Sequence, residues 1–112
     1  INLEGYAMQH LEELNILLDA ASKVAGSDGK LAVKLGKHRQ TISNWRHGHK
    51  PCSPEDQAIL ASIAGLDAIE TLARATVRQY EGTAKCDLLM RAFGKVLLAT
   101  GPAVGSAGAS AQ

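Results

Sequence analysis

The run Leu31-Ala32-Val33-Lys34-Leu35-Gly36-Lys37-His38-Arg39-Gln40-Thr41-Ile42-Ser43-Asn44-Trp45-Arg46-His47-Gly48-His49-Lys50-Pro51 contains two short helical segments joined at a glycine. The first spans about Asp28 to Leu35, with Leu31, Ala32 and Leu35 on its inner side. Gly36 accepts the positive φ that a tight turn needs. The second spans about Arg39 to Arg46, with Ile42 and Trp45 facing inward and small Ala32 where the two segments approach. This leaves Arg39, Gln40, Thr41, Ser43 and Asn44 on the outer side and N-terminal end of the second segment. Arginine pairs with guanine, glutamine and asparagine pair with adenine, and a threonine methyl can meet thymine. The pattern is that of a helix-turn-helix placed to read base edges in the major groove of double-stranded DNA.

Charge agrees with that reading. The chain has 112 residues, with 12 Lys plus Arg against 11 Asp plus Glu. The near-balance hides an asymmetry. Between Lys23 and Lys50 stand seven basic residues (Lys23, Lys30, Lys34, Lys37, Arg39, Arg46 and Lys50) and one acid, Asp28. Residues 1–22 carry Glu4, Glu12, Glu13 and Asp19 without a Lys or Arg. A net charge of +6 over residues 23–50, seven less one, is an electrostatic footprint for a polyanion. A solvated, lysine-rich helix face is the bland alternative.

Outward from this stretch the apolar residues keep helical spacing, and no strand pattern appears. A first helix is expected from about Ala7 to Ala25. Its stripe is Leu11, Leu14, Leu18, Ala21 and Ala25, widened by Leu17 and Val24. Gly26 closes it, and Ser27 or Asp28 caps the next helix. Ser53-Pro54-Glu55-Asp56 starts a fourth helix, with Ile59, Leu60 and Ile63 inward. Asp67-Ala68-Ile69-Glu70 reads as a second capping box, with Ile69, Leu72, Ala73, Val77 and Tyr80 on one face of a fifth helix. A sixth helix is expected from about Lys85 to Ala99. Residues 101–112, rich in Gly, Ala and Ser, read as a flexible tail. Met8 precedes the first clear helix, and residues 1–7 read as a trimmed or upstream extension.

Residues 28–66 resemble the lambda-repressor-like (phage Cro type) helix-turn-helix family, carried by Leu31, Ala32, Leu35, Gly36, Thr41, Ile42, Ser43, Trp45, Gly48 and Pro51 without a gap. The resemblance implies an all-α, five-helix DNA-binding domain over residues 8–81; the extra C-terminal helix over 84–100 lies outside it. By position it makes Arg39, Gln40 and Asn44 the base readers, with Thr41 and Ser43 beside them. Ser27, Lys30, Lys37, His38, Arg46, His47, His49 and Lys50 fall where phosphate would be gripped. The sequence departs from the family habit at three places. Asp28 stands where Gln is frequent, His38 replaces a Ser or Thr cap, and Arg46 follows the Trp where Glu is common. The Arg46 change puts the family's usual intramolecular salt bridge in question. One such domain reads a short site, and the family's usual answer is a dimer on a palindrome. The sixth helix, through Leu89, Phe93, Val96 and Leu97, is the expected homodimer interface, against the plainer role of covering the core.

The reading is therefore a cytoplasmic transcriptional regulator acting as a repressor, similar to small phage or prophage control proteins. The alternative is an antitoxin or other partner-binding protein that autoregulates through the same motif. Other chemistry finds little footing. His47, His49 and Cys52, with His38, lack the paired spacing of structural zinc, so no metal or other cofactor is expected. Gly26-Ser27-Asp28-Gly29-Lys30 is too short between its glycines for a phosphate loop. No Ser, His and acid set suggests an enzyme. Cys52 and Cys86 read as reduced thiols. The longest uncharged segment, Val96 to Gln112, is too broken to span a bilayer. Arg91 and Lys95 would suit peripheral membrane contact, which ranks behind the other roles of the sixth helix.

Overall fold

The computed structural model describes residues 3–99, with side chains for residues 10–97. The expected tail at 101–112 and the side chains of residues 1–7 lie outside the described residues. All regular structure among the described residues is helical: α1 Leu3–Ala25, α2 Asp28–Leu35, α3 Arg39–Arg46, α4 Pro54–Ile63, α5 Ala68–Gln79, α6 Ala84–Ala92 and α7 Gly94–Ala99.

Local signals set most boundaries. Ser27 Oγ accepts from Lys30 N at 3.1 Å and caps α2. At the other end Gly36 sits at φ 68°. Lys37 N–H donates to Ala32 O at 2.9 Å and Gly36 N–H to Val33 O at 3.1 Å. These paired bonds satisfy the last carbonyls of α2 and reverse the chain within two residues. Ser53 and Asp67 cap α4 and α5 through Asp56 N and Glu70 N. The reciprocal arm of each expected capping box is otherwise engaged: Asp56 pairs with Lys37 at 3.8 Å, and Glu70 pairs with Arg74.

The core lies where α1, α2, α3 and α4 meet. It consists of Leu18, Ala21, Leu31, Ala32, Ile42, Trp45, Cys52 and Leu60, flanked by Leu14, Leu17, Ala25, Leu35, Ile63 and Ala64. α5 packs on α4, and α6 and α7 pack on α5 and on each other. Arg78 of α5 also pairs with Glu13 of α1.

Three expectations need correction. α1 starts upstream of Ala7, at Leu3. The single sixth helix is two, because the chain turns at Phe93 before Gly94, a residue that weakens any helix interior. Val24, Ile59 and Ile69, expected on inner faces, are exposed at 62%, 48% and 63%. The expected pairing residues Leu89, Phe93, Val96 and Leu97 are half-buried, on helices that pack against α5. The exposed apolar residues of α6 are Leu88 and Met90.

Candidate nucleic-acid interface

Successive residues on an α-helix are rotated by about 100°. In α3 this puts Ile42 and Trp45 together on the buried side, and both are almost fully buried. The opposite side then carries Gln40, Ser43 and Asn44. Arg39 lies at one edge with Arg46, and half-buried Thr41 at the other. Arg39, Gln40, Ser43, Arg46 and His47 line an open depression together with Asp28 of α2. The five residues expected to read bases are thus on one short helix, with its apolar pair turned away from them.

The outer side chains are organised among themselves. Gln40 Nε2 donates to Asn44 Oδ1 at 3.1 Å. His47 Nδ1 lies 2.8 Å from Ser43 O and 3.4 Å from Ser43 Oγ. A carbonyl only accepts, so the short contact calls for the Nδ1–H tautomer of His47. His49 stacks on His47 with ring centroids 5.6 Å apart. The chain after α3 is fixed by His49 N–H donating to Asn44 O at 2.9 Å. His38 stands at the start of α3 without a side-chain capping bond, and its ring is exposed.

Arg46, expected to grip phosphate, is engaged within the protein. Its guanidinium makes a bidentate contact with Asp28, Nε to Oδ2 at 2.8 Å and Nη2 to Oδ1 at 3.0 Å. Nη1 reaches Asp19 Oδ1 at 2.7 Å and Asn15 Oδ1 at 3.0 Å. Asn15 returns a bond from Nδ2 to Arg46 O at 2.9 Å, and Ser22 Oγ donates to Asp28 Oδ1. One side chain of α3 is therefore tied to α1 and α2 by charge-assisted bonds in planar, two-pronged geometry. The Arg46 hydrogen bonds hold the Asp28 carboxyl below its ordinary range, against an opposing push from burial. Asp28 in turn holds the Arg46 guanidinium above its ordinary value. An intramolecular ion pair is thus present at Arg46, with the cation on α3.

Sequence reasoning missed Asn15, Asp19 and Ser22. Their signal was spacing: positions 15, 19 and 22 form a polar row along α1 beside the buried Leu18 and Ala21. A lone acid, Asp28, amid seven cations was the second signal.

The other expected phosphate contacts differ in availability. Among the described residues Lys30 and Lys50 are exposed and make no ion pair. The same holds for Lys23, Lys34 and Arg39 of the same basic run, with Arg39 acting on Asp28 only through its charge. Lys37 is shared between Asp56 and the face of Trp45, 5.9 Å from the ring centroid. Ser27 accepts as a cap, yet its hydroxyl proton remains for an outside acceptor. The Arg46–Asp28 pair removes one cation together with the only acid of residues 23–50, so the surrounding surface stays basic. Cys52 belongs to the core, where burial pushes its thiol up to about 12. Among the described residues no group of three or more His, Cys, Asp or Glu side chains converges as a metal site, and no helix is long and apolar enough to cross a membrane.

No known protein family, characterised protein or solved structure matches the chain, so the meaning of this surface rests on its own geometry.

Proposed function

We infer that the protein is a sequence-specific regulator of transcription that binds double-stranded DNA through α3. In this reading α1 to α5 form a lambda-repressor-like helix-turn-helix domain, and the protein acts in the cytoplasm as a homodimeric repressor on a palindromic operator. The supporting observation is the division of α3. Ile42 and Trp45 are buried on one side, Gln40, Ser43 and Asn44 project on the other, and Arg39 and exposed lysines stand around them.

The lysines would supply affinity through phosphates, and Arg39 with the α3 amides would supply discrimination at ~1–3 kcal/mol per good base contact. About four phosphates neutralised per protomer would lower affinity roughly a hundredfold between about 50 and 200 mM salt. Enrichment of bound sequences from a random DNA pool tests the reading. The expected product is a pair of inverted half-sites one helical turn apart. A pool that remains random after repeated rounds would count against it.

Exposed Leu88 and Met90 favour a second reading, a partner-binding protein that also controls its own promoter. They stand two residues apart on α6 and so point to different sides of the helix, each open to a partner. Repression of a reporter by this chain alone supports the first reading, and repression only with a co-expressed neighbour supports the second.

A further inference from the structure

Gln40 and Asn44 lie one turn apart at the centre of the outer face of α3, joined by the bond from Gln40 Nε2 to Asn44 Oδ1 at 3.1 Å. Among the described residues neither side chain has another hydrogen-bond partner. We propose that the two amides form one coupled reader, whose base preferences at two nearby positions are correlated rather than independent. This rests on the DNA-binding reading above.

A free Gln or Asn amide offers a donor and an acceptor side by side, the complement of N7 and N6–H on adenine. Two free amides would favour adenine at each position independently. The bond between them removes that freedom. Gln40 gives one N–H to Asn44 and keeps the other N–H beside its Oε1, which is the adenine-reading edge. Asn44 Oδ1 spends one of its two lone pairs on Gln40, while both N–H of its amide stay unused. Two donors suit a base edge made of acceptors, N7 and O6 of guanine.

Rotating both amides by half a turn exchanges the roles: Asn44 then donates to Gln40 Oε1, Asn44 suits adenine and Gln40 suits guanine. Rotating only one brings two oxygens or two NH₂ groups together. The pair therefore favours adenine with guanine, in either order, over two adenines or two guanines. Four residues advance about 6 Å along a helix, so the positions lie one or two base steps apart.

The test uses the selected operator with all sixteen combinations at the two positions facing Gln40 and Asn44. Binding is measured by fluorescence anisotropy for the wild type, Asn44→Asp and Asn44→Ala. Both positions are outside the core, and circular dichroism checks that each variant keeps its helices.

For the wild type, mixed adenine–guanine sites are expected to bind about tenfold more tightly than the product of single changes allows. Asn44→Asp keeps an acceptor for Gln40 and has no donor. It should retain adenine facing Gln40 and lose the guanine preference beside it. Asn44→Ala should make the two positions multiply independently. Specific binding by the wild type with independent preferences overturns the coupled reader and leaves the DNA-binding reading standing. Absence of any specific binding overturns both.

Discussion

The α2–α3 unit and the α6–α7 pair are each two short helices joined at a turn, yet the molecule holds them in different ways. α2 and α3 bury Leu31, Ala32, Ile42 and Trp45 in the common core. They are also tied to α1 by the bonds of Arg46. α6 contributes no buried residue and leaves Leu88 and Met90 in solvent. Among the described residues, the earlier helix that it and α7 pack against is α5. A reading surface needs side chains held within fractions of an ångström, and packing combined with a polar bracket provides that. A pair supported on one face keeps apolar surface available for another molecule. On the proposed reading, the difference would give recognition to the first pair and association to the second.

The same substitution in the two regions gives the largest contrast. Leu18→Ala, opposite α2 and α3, should cost about 2–5 kcal/mol of unfolding free energy. Leu88→Ala should change it by no more than about 0.5 kcal/mol. Urea denaturation followed by circular dichroism measures both, and equal costs would erase the distinction. A smaller effect is expected when the bracket is opened. Arg46→Met should lose about 2 kcal/mol, less than for a fully buried pair because Asp19 is largely exposed.

The bracket also has a pH signature. The Asp28 carboxyl is held below its ordinary 3.8, first by hydrogen bonds from Arg46. A carboxylate with a depressed folded value adds stability that is complete above its unfolded value and lost as pH falls through the folded one. Acidification below about pH 4 should therefore destabilise the wild type more steeply than Asp28→Asn, as read from unfolding midpoints across pH. Smaller again, Ser27→Ala should cost about 1 kcal/mol through the lost α2 cap. The exposed end is probed by association instead. If these residues pair two copies of the chain, Leu88→Asp combined with Met90→Asp should leave folding nearly unchanged and shift sedimentation toward the monomer. A dimer that persists would place the pairing surface elsewhere.

Much of the fold was legible because its signals are local. Gly36, Ser53-Pro54 and Asp67 set boundaries through neighbours within a few residues, and the apolar spacing of α1 and α3 marked their buried sides. The Arg46 bracket was not legible in that way. Asp28 is 18 residues away and Asp19 is 27, so the contact depends on how three helices meet. Read alone, Arg46 is one more cation in a basic run. The break at Phe93 was hidden for a different reason: apolar residues keep helical spacing across Gly94, and periodicity does not register a turn that preserves phase. At the site, the outer face of α3 followed from Ile42 and Trp45. The bond between Gln40 and Asn44 depended on which rotamers that exposed face adopts.

The most direct measurement compares the selected operator with random DNA, for the wild type and for Arg39→Ala combined with Gln40→Ala. Fluorescence anisotropy at fixed salt gives both affinities, and circular dichroism confirms that the helices persist. The wild type should prefer the operator by at least about tenfold, and the double variant should bind the two DNAs alike. An unchanged preference in the folded variant would contradict the assignment of α3 as the reading helix.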